Sequence, residues 1–121
     1  MSAVSRGNAA ERYVARWLQD RGWLVASRRH TGGAGDLLAT WTHFHETTME
    51  LEGAGLIEVR AGAVWLIEVK AAKELWQQFR CSEREEMRKV PLLPGSQRFV
   101  VNVRGSGEKR ELIWVAEKDW P

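Results

Sequence analysis

Apolar positions recur along residues 5–21 with a helical period. Ala10, Tyr13, Val14, Trp17 and Leu18 fall at i, i+3, i+4, i+7 and i+8, which is one stripe down one side of a helix. At roughly 100° per residue, Glu11 lies on the edge of that stripe and Arg12 near the opposite face. Gly22 follows, where a glycine commonly ends a helix. The pattern then changes. Residues 23–28 (WLVASR) and 36–41 (DLLATW) read as strands on either side of the glycine-rich turn TGGAG. Residues 42–55 (THFHETTMELEGAG) carry no clear period, and a loop, a strand extension and a helical turn around Met49 all stay open.

A near-repeat comes next. LIEVR at 56–60 is followed by LIEVK at 66–70, and both read as strands with a turn at Gly62 between them. A hairpin joining the two copies is therefore expected. A two-residue turn at Ala61-Gly62 would point Glu58 away from Glu68, and a three-residue turn would put them on one face; the sequence leaves both open. Within the second copy, alternation sets Leu66, Glu68 and Lys70 on one face and Trp65, Ile67 and Val69 on the other. Residues 71–78 continue as a short helix or a loop. Ser82-x-x-Glu85 has the form of a capping box and predicts a helix start, closed by Pro91 and Pro94-Gly95. Residues 97–104 and 110–116 read as the last two strands. The predicted order, α-β-β-(β)-β-α-β-β, describes a mixed α/β fold.

Length and composition fit that reading. A chain of 121 residues at 44% hydrophobic suits one domain, 1–121, with an ordinary core and an enlarged hairpin region at about 42–63. No apolar run approaches a membrane span, and the polar first residues do not form a signal peptide. Cys81 is the single cysteine, so an internal disulfide and a cysteine-rich zinc site are excluded, and a reducing cytoplasm is the expected compartment. Charge is unevenly placed: net +3 over residues 1–36, −4 over 37–69 and +3 over 70–121. Basic flanks around an acidic middle fit a nucleic-acid surface beside a carboxylate site, and also fit plain solvated faces.

The chemistry gathers around the second LIEV. Glu68 and Lys70 share a strand face about 7 Å apart, and Asp36 opens a nearby strand after the glycine turn. Two carboxylates are hard oxygen ligands of the kind Mg²⁺ takes, with room left for waters and a phosphate oxygen. A lysine beside them can orient a water or stabilise charge developing on phosphorus. Glu11 adds a possible third carboxylate. Each residue has a plain reading as well: Glu11 as a surface acid, Asp36 as a turn aspartate, and Glu68-x-Lys70 as a cross-strand ion pair. Glu58 and Arg60 read as a solvated strand face.

Four motifs in order, Gly7-x-x-x-Glu11-Arg12, Gly22-Trp23-x-Val25, Gly35-Asp36-Leu37-Leu38-Ala39 and Ile67-Glu68-Val69-Lys70, give the chain a resemblance. It resembles the PD-(D/E)XK nuclease superfamily, and most closely the archaeal-type Holliday junction resolvases with their short phage relatives. The resemblance covers roughly residues 5–73. It implies a restriction-endonuclease-like central mixed β-sheet flanked by helices (α-β-β-β-α-β-β). It implies a Mg²⁺-dependent endonuclease, with Mn²⁺ as a substitute, that nicks four-way junction DNA symmetrically as a homodimer. On that basis Asp36 and Glu68 would ligate the metal, Glu11 would assist through water, and Lys70 would be the catalytic lysine. Arg12, Arg28 or Arg29, and Lys73 would hold phosphates. A restriction-like or repair nuclease and a catalytically silent DNA-binding module are the alternatives. Three departures stand out. The interval from Gly22 to Arg28 is one residue longer than the resemblance implies, so Arg28 and Arg29 compete for one role. Gly35 occupies a position where the family often has proline, a small change within a turn. The interval from Asp36 to Glu68 is also long, and the extra residues include the first LIEV.

Other candidates are weaker. His43 and His45 would share a strand face, but a zinc site needs further clustered ligands. Trp17, Trp23 and Trp65 are assigned to the core, while Trp41 is tied to no pattern. Trp76 or Phe79 is a candidate to stack on bases at an open junction. Arg80, Arg84, Arg88 and Lys89 recur at near-helical spacing, with phosphate binding and solvation both open.

Overall fold

The structure is a computed structural model that describes residues 3–28 and 33–121 and, of residues 3–6, the backbone alone. Arg29 lies outside the described residues. The amphipathic stripe forms α1 (Ala3–Asp20), ended by Gly22 at φ +101°. The chain then runs through β1 (Leu24–Ser27), β2 (Leu37–Thr40), β3 (Thr47–Leu51), β4 (Gly55–Val59) and β5 (Val64–Lys70). The short α2 (Leu75–Gln78) and α3 (Cys81–Lys89) lead to β6 (Gln97–Arg104) and β7 (Glu111–Ala116). The result is a mixed α/β fold: a five-stranded sheet in the order β1-β2-β5-β6-β7, plus the two-stranded hairpin β3-β4. β2 is antiparallel to both of its neighbours, β1 and β5, β6 runs parallel to β5, and β7 is antiparallel to β6. The parallel pair needs a crossover, and α2 and α3 supply it.

The two LIEV copies do not pair with each other, contrary to the expected hairpin. β4 pairs with β3, Glu58 opposite Thr48, while β5 lies between β2 and β6. Their flanking residues explain the divergence. β5 is preceded by Val64-Trp65, and its Trp65, Leu66 and Ile67 are fully buried, as a central strand covered on both faces requires. β4 has Leu56 and Glu58 exposed, with Val59 its only buried residue. After β4 the chain turns at Arg60–Ala63, and Trp41 and Ala63 then bond to each other as β5 enters the main sheet against β2. The unpatterned 42–55 stretch supplies β3, the missing partner.

Alternation along β5 divides the core in two. Trp65, Ile67 and Val69 pack under α1 with Val14, Leu18, Trp23, Phe99 and Trp114. Leu66, on the other face, packs with Phe79, Met87, Val100 and Trp120 under α2 and α3. Trp41 is buried on the α1 side, and Trp17 packs there against Trp114 with ring centroids 5.5 Å apart. Among the described residues no helix is long and apolar enough to cross a membrane.

The hairpin is anchored to the core. Leu51 and Val59 are buried, the Trp23 indole N–H donates to Met49 Sδ at 3.1 Å, and the Trp114 amide donates to the Glu52 carbonyl at 2.8 Å. At Gly53, φ +92°, a Cβ would stand 2.6 Å from the Trp114 carbonyl oxygen. Leu51→Ala is expected to cost about 2–5 kcal/mol in urea unfolding, as for other buried leucines. A loss below about 0.5 kcal/mol would show the hairpin to be an independent flap.

Candidate functional site

Asp36 sits one residue before the β2–β5 ladder, whose last pair on that side is Leu37 with Ile67. Its amide still donates to the Ile67 carbonyl at 2.9 Å. Its side-chain Oδ2 takes the Val69 amide proton at 2.8 Å, in the place a strand carbonyl would occupy. That bond sets the Asp36 carboxyl beside Glu68. Glu68 and Lys70 point to the same face as Leu66, toward α3, and the Lys70 ammonium lies 3.2 Å from Glu68 Oε2.

The turn before Asp36 differs from the expected small change. Gly35 has φ +83°, which proline's ring cannot adopt. A Cβ there would also meet Leu66 Cδ1 at 2.7 Å. Glycine is needed because the chain passes over the core strand as it delivers Asp36. Arg28 braces the same turn: its amide donates to the Asp36 carbonyl at 2.8 Å and its Nε to the Ala34 carbonyl at 2.9 Å.

The far wall is α3. Asp36, Glu68, Ser82, Glu83, Glu86 and Met87 line a cleft of about 330 Å³ together with the 33–35 turn. Glu83 Oε2 accepts from the Lys70 ammonium at 2.9 Å, so the lysine is held between Glu68 and Glu83. The sequence reading missed Glu83 and Glu86. The signal was present, because Glu83, Glu86 and Met87 stand at i, i+3 and i+4 on one helix face. The capping box drew attention elsewhere, and it does not form. The N-cap is Arg80 with no side-chain cap bond, and Ser82 lies inside α3 facing the cleft.

The Glu68 carboxyl is pushed up to about 8, by burial first and then by the Asp36 charge and a hydrogen bond to Asp36. Lys70 opposes this and is outweighed. At neutral pH Glu68 thus keeps its proton, and the Lys70–Glu68 contact is a hydrogen bond to a mainly neutral acid. Burial disfavours the Lys70 cation, but the bond to Glu83 and the neighbouring carboxylates outweigh that, so its pKa is raised. Lys70 is therefore a cation here and no general base.

Glu11 and Arg12 line a different cavity, with Val25, Ser27 and Leu37. Asp36 and Leu37 are adjacent and point to opposite faces, so the sheet stands between Glu11 and the Asp36–Glu68 pair. Lys73 is exposed and lines a shallow concavity with Arg104 beyond the ends of β5 and β6. Glu58 is exposed in another cavity with Arg60, Glu117 and Lys118. The basic residues at near-helical spacing, for which phosphate binding and solvation were both open, do not form one free face. Arg84 is buried and donates to the Phe79 carbonyl, Arg88 pairs with Glu117 at 3.3 Å, and Lys89 pairs with Glu86 at 3.0 Å. His43 and His45 have ring centroids 5.4 Å apart, and among the described residues no group of three or more His, Cys, Asp or Glu is placed to hold a metal. Asp36 and Glu68 offer two carboxylates and no more, which suits an ion that keeps several waters, as Mg²⁺ does.

The raised Glu68 pKa has a stability consequence. Its folded value, about 8, lies above the ordinary 4.5, so folding takes up a proton between them. The resulting stability is fully present below pH 4.5 and is lost as pH rises through about 8. Urea unfolding of the metal-free protein is expected to show this decline, and Glu68→Gln to remove it. An identical pH profile in both proteins would mean that Glu68 is ionised in the folded state.

No family model, curated protein or solved structure matches this chain.

Proposed function

We propose that this chain is a Mg²⁺-dependent endonuclease that resolves four-way DNA junctions as a homodimer. The observation that carries the nuclease reading is the meeting of Asp36 and Glu68 in one cleft, with the Lys70 ammonium against Glu68, delivered by two adjacent antiparallel strands. Element order supports it too. With the β3-β4 hairpin and the one-turn α2 set apart, α1-β1-β2-β5-α3-β6-β7 is the order the PD-(D/E)XK resemblance implies. The junction preference and the homodimer rest on that resemblance, and the long Asp36–Glu68 interval is accounted for by the inserted hairpin.

In this reading Asp36 and Glu68 hold the ion, Asp36 already oriented by the Val69 amide and Glu68 after giving up its proton. A divalent cation bound there supplies a lowered pKa to bound water and charge neutralisation at the phosphate. Lys70, kept cationic by Glu83, stabilises the charge that develops on the phosphoryl oxygens. Arg28 and Lys73 contact flanking phosphates. Arg12 does the same from the α1 side, while Glu11, in the cavity on that side of the sheet, takes no part at the ion.

The test is a labelled four-way junction and a matched linear duplex incubated with Mg²⁺. Paired symmetric nicks confined to the junction are expected, with Glu68→Gln and Lys70→Met each lowering the rate by roughly 10²–10³-fold. Equal cutting of the duplex would replace the resolvase with a restriction-like or repair nuclease. Tight binding without cleavage in either Mg²⁺ or Mn²⁺ would leave a DNA-binding module.

A further inference from the structure

Trp76 stands apart from the other tryptophans. Trp23, Trp41, Trp65, Trp114 and Trp120 are all buried and Trp17 is partly covered, whereas Trp76 on α2 is 39% exposed. Its ring is nonetheless held. It lies nearly parallel to the Phe79 ring, 6.4 Å between centroids at 29°. Phe79 is fully buried and is itself fixed edge-on by Trp120 at 4.9 Å. The Arg84 guanidinium, buried and bonded to the Phe79 carbonyl, sits 5.9 Å from the Trp76 ring centre. A flat aromatic ring at the surface, backed by a rigid aromatic stack, is ready to take a second flat ring.

Its setting points to the kind of ring. Lys73 and Arg80, three residues before and four after, are exposed, and neither has an acidic partner among the described residues. Arg84 adds a third positive charge. Cations interleaved with an aromatic platform suit a nucleic-acid strand, the aromatic taking a base and the cations its phosphates. The platform is also tied to the cleft. Glu83 and Arg84 are consecutive on α3; one holds Lys70 and the other lies beside Trp76.

We propose that Trp76 is a stacking platform for an unpaired nucleobase, flanked by Lys73 and Arg80. In a paired duplex every base is already stacked between neighbours, so the platform serves only bases that are splayed out, as at the branch of a junction. This deepens the nuclease reading by naming a residue that selects open over linear DNA. It rests on that reading for its place in catalysis, though not for the stacking itself.

The test measures binding of full-length protein to an oligo-dT single strand and to a linear duplex, without divalent metal. Trp76→Ala is expected to weaken oligo-dT binding by about tenfold or more, with duplex binding unchanged. Trp76→Phe should keep most of the affinity. Oligo-dT should quench tryptophan fluorescence in the wild type, and Trp76→Phe should lose much of that quenching. Equal oligo-dT affinity in wild type and Trp76→Ala would overturn the proposal, as would an equal loss on duplex. The nuclease reading fails separately, if wild-type protein cuts neither junction nor duplex with metal present.

Discussion

A single hydrogen bond, from the Val69 amide to the Asp36 carboxyl, decides how the cleft is built. It replaces a backbone ladder bond with a side-chain one at the point where β2 begins. A strand edge there would otherwise leave a buried donor unmet, at a cost of about 1–3 kcal/mol. Because Asp36 meets that donor, it is pinned beside Glu68, and two carboxyls come together in a partly dry site. Burial and the neighbouring Asp36 charge together outweigh the Lys70 ammonium, so Glu68 keeps its proton and its pKa rises. A pair of acids that retains a proton only for want of a better cation is the physical basis for reading the cleft as a metal site.

The rest of the fold holds that pair in place. β5 must be apolar on the α1 face, where Trp65, Ile67 and Val69 meet a large aromatic cluster, and this leaves only the opposite face for Glu68 and Lys70. α3 then covers that face and brings Glu83 to the lysine. The lysine is consequently held from two sides, with Glu83 supplying the counter-charge. An ion arriving at Glu68 would take away one of its partners, and Glu83 would keep the ammonium in the cleft.

Much of this was readable from residue order. The stripe of α1, the strands around Asp36, the two faces of β5 and the grouping of Asp36, Glu68 and Lys70 follow from period and alternation. The pairing of the two LIEV copies did not. Their cores are identical, and what separates them is the flanking sequence: Val64-Trp65 precedes the central copy, and Ala54-Gly55 precedes the peripheral one. The hairpin partner β3 was hidden because Thr47–Leu51 has a weak, mostly polar pattern. Glu83 was missed because a capping motif and a helix face used the same residues, and the tertiary contact with Lys70 chose the face. Glu11 shows the reverse problem. The helical stripe placed it at an edge correctly, but only the layering of the sheet reveals that it faces a different cavity.

The most direct measurement is the number of protons released when Mg²⁺ binds, obtained by calorimetry at pH 7 in two buffers of different ionisation enthalpy. With Glu68 titrating near 8, the account expects close to one proton per ion, about 0.9. Glu68→Gln should release almost none. Mg²⁺ binding with no proton release by the wild type, or no binding at all, would contradict the claim that the Asp36–Glu68 pair is a metal site held shut by the proton on Glu68.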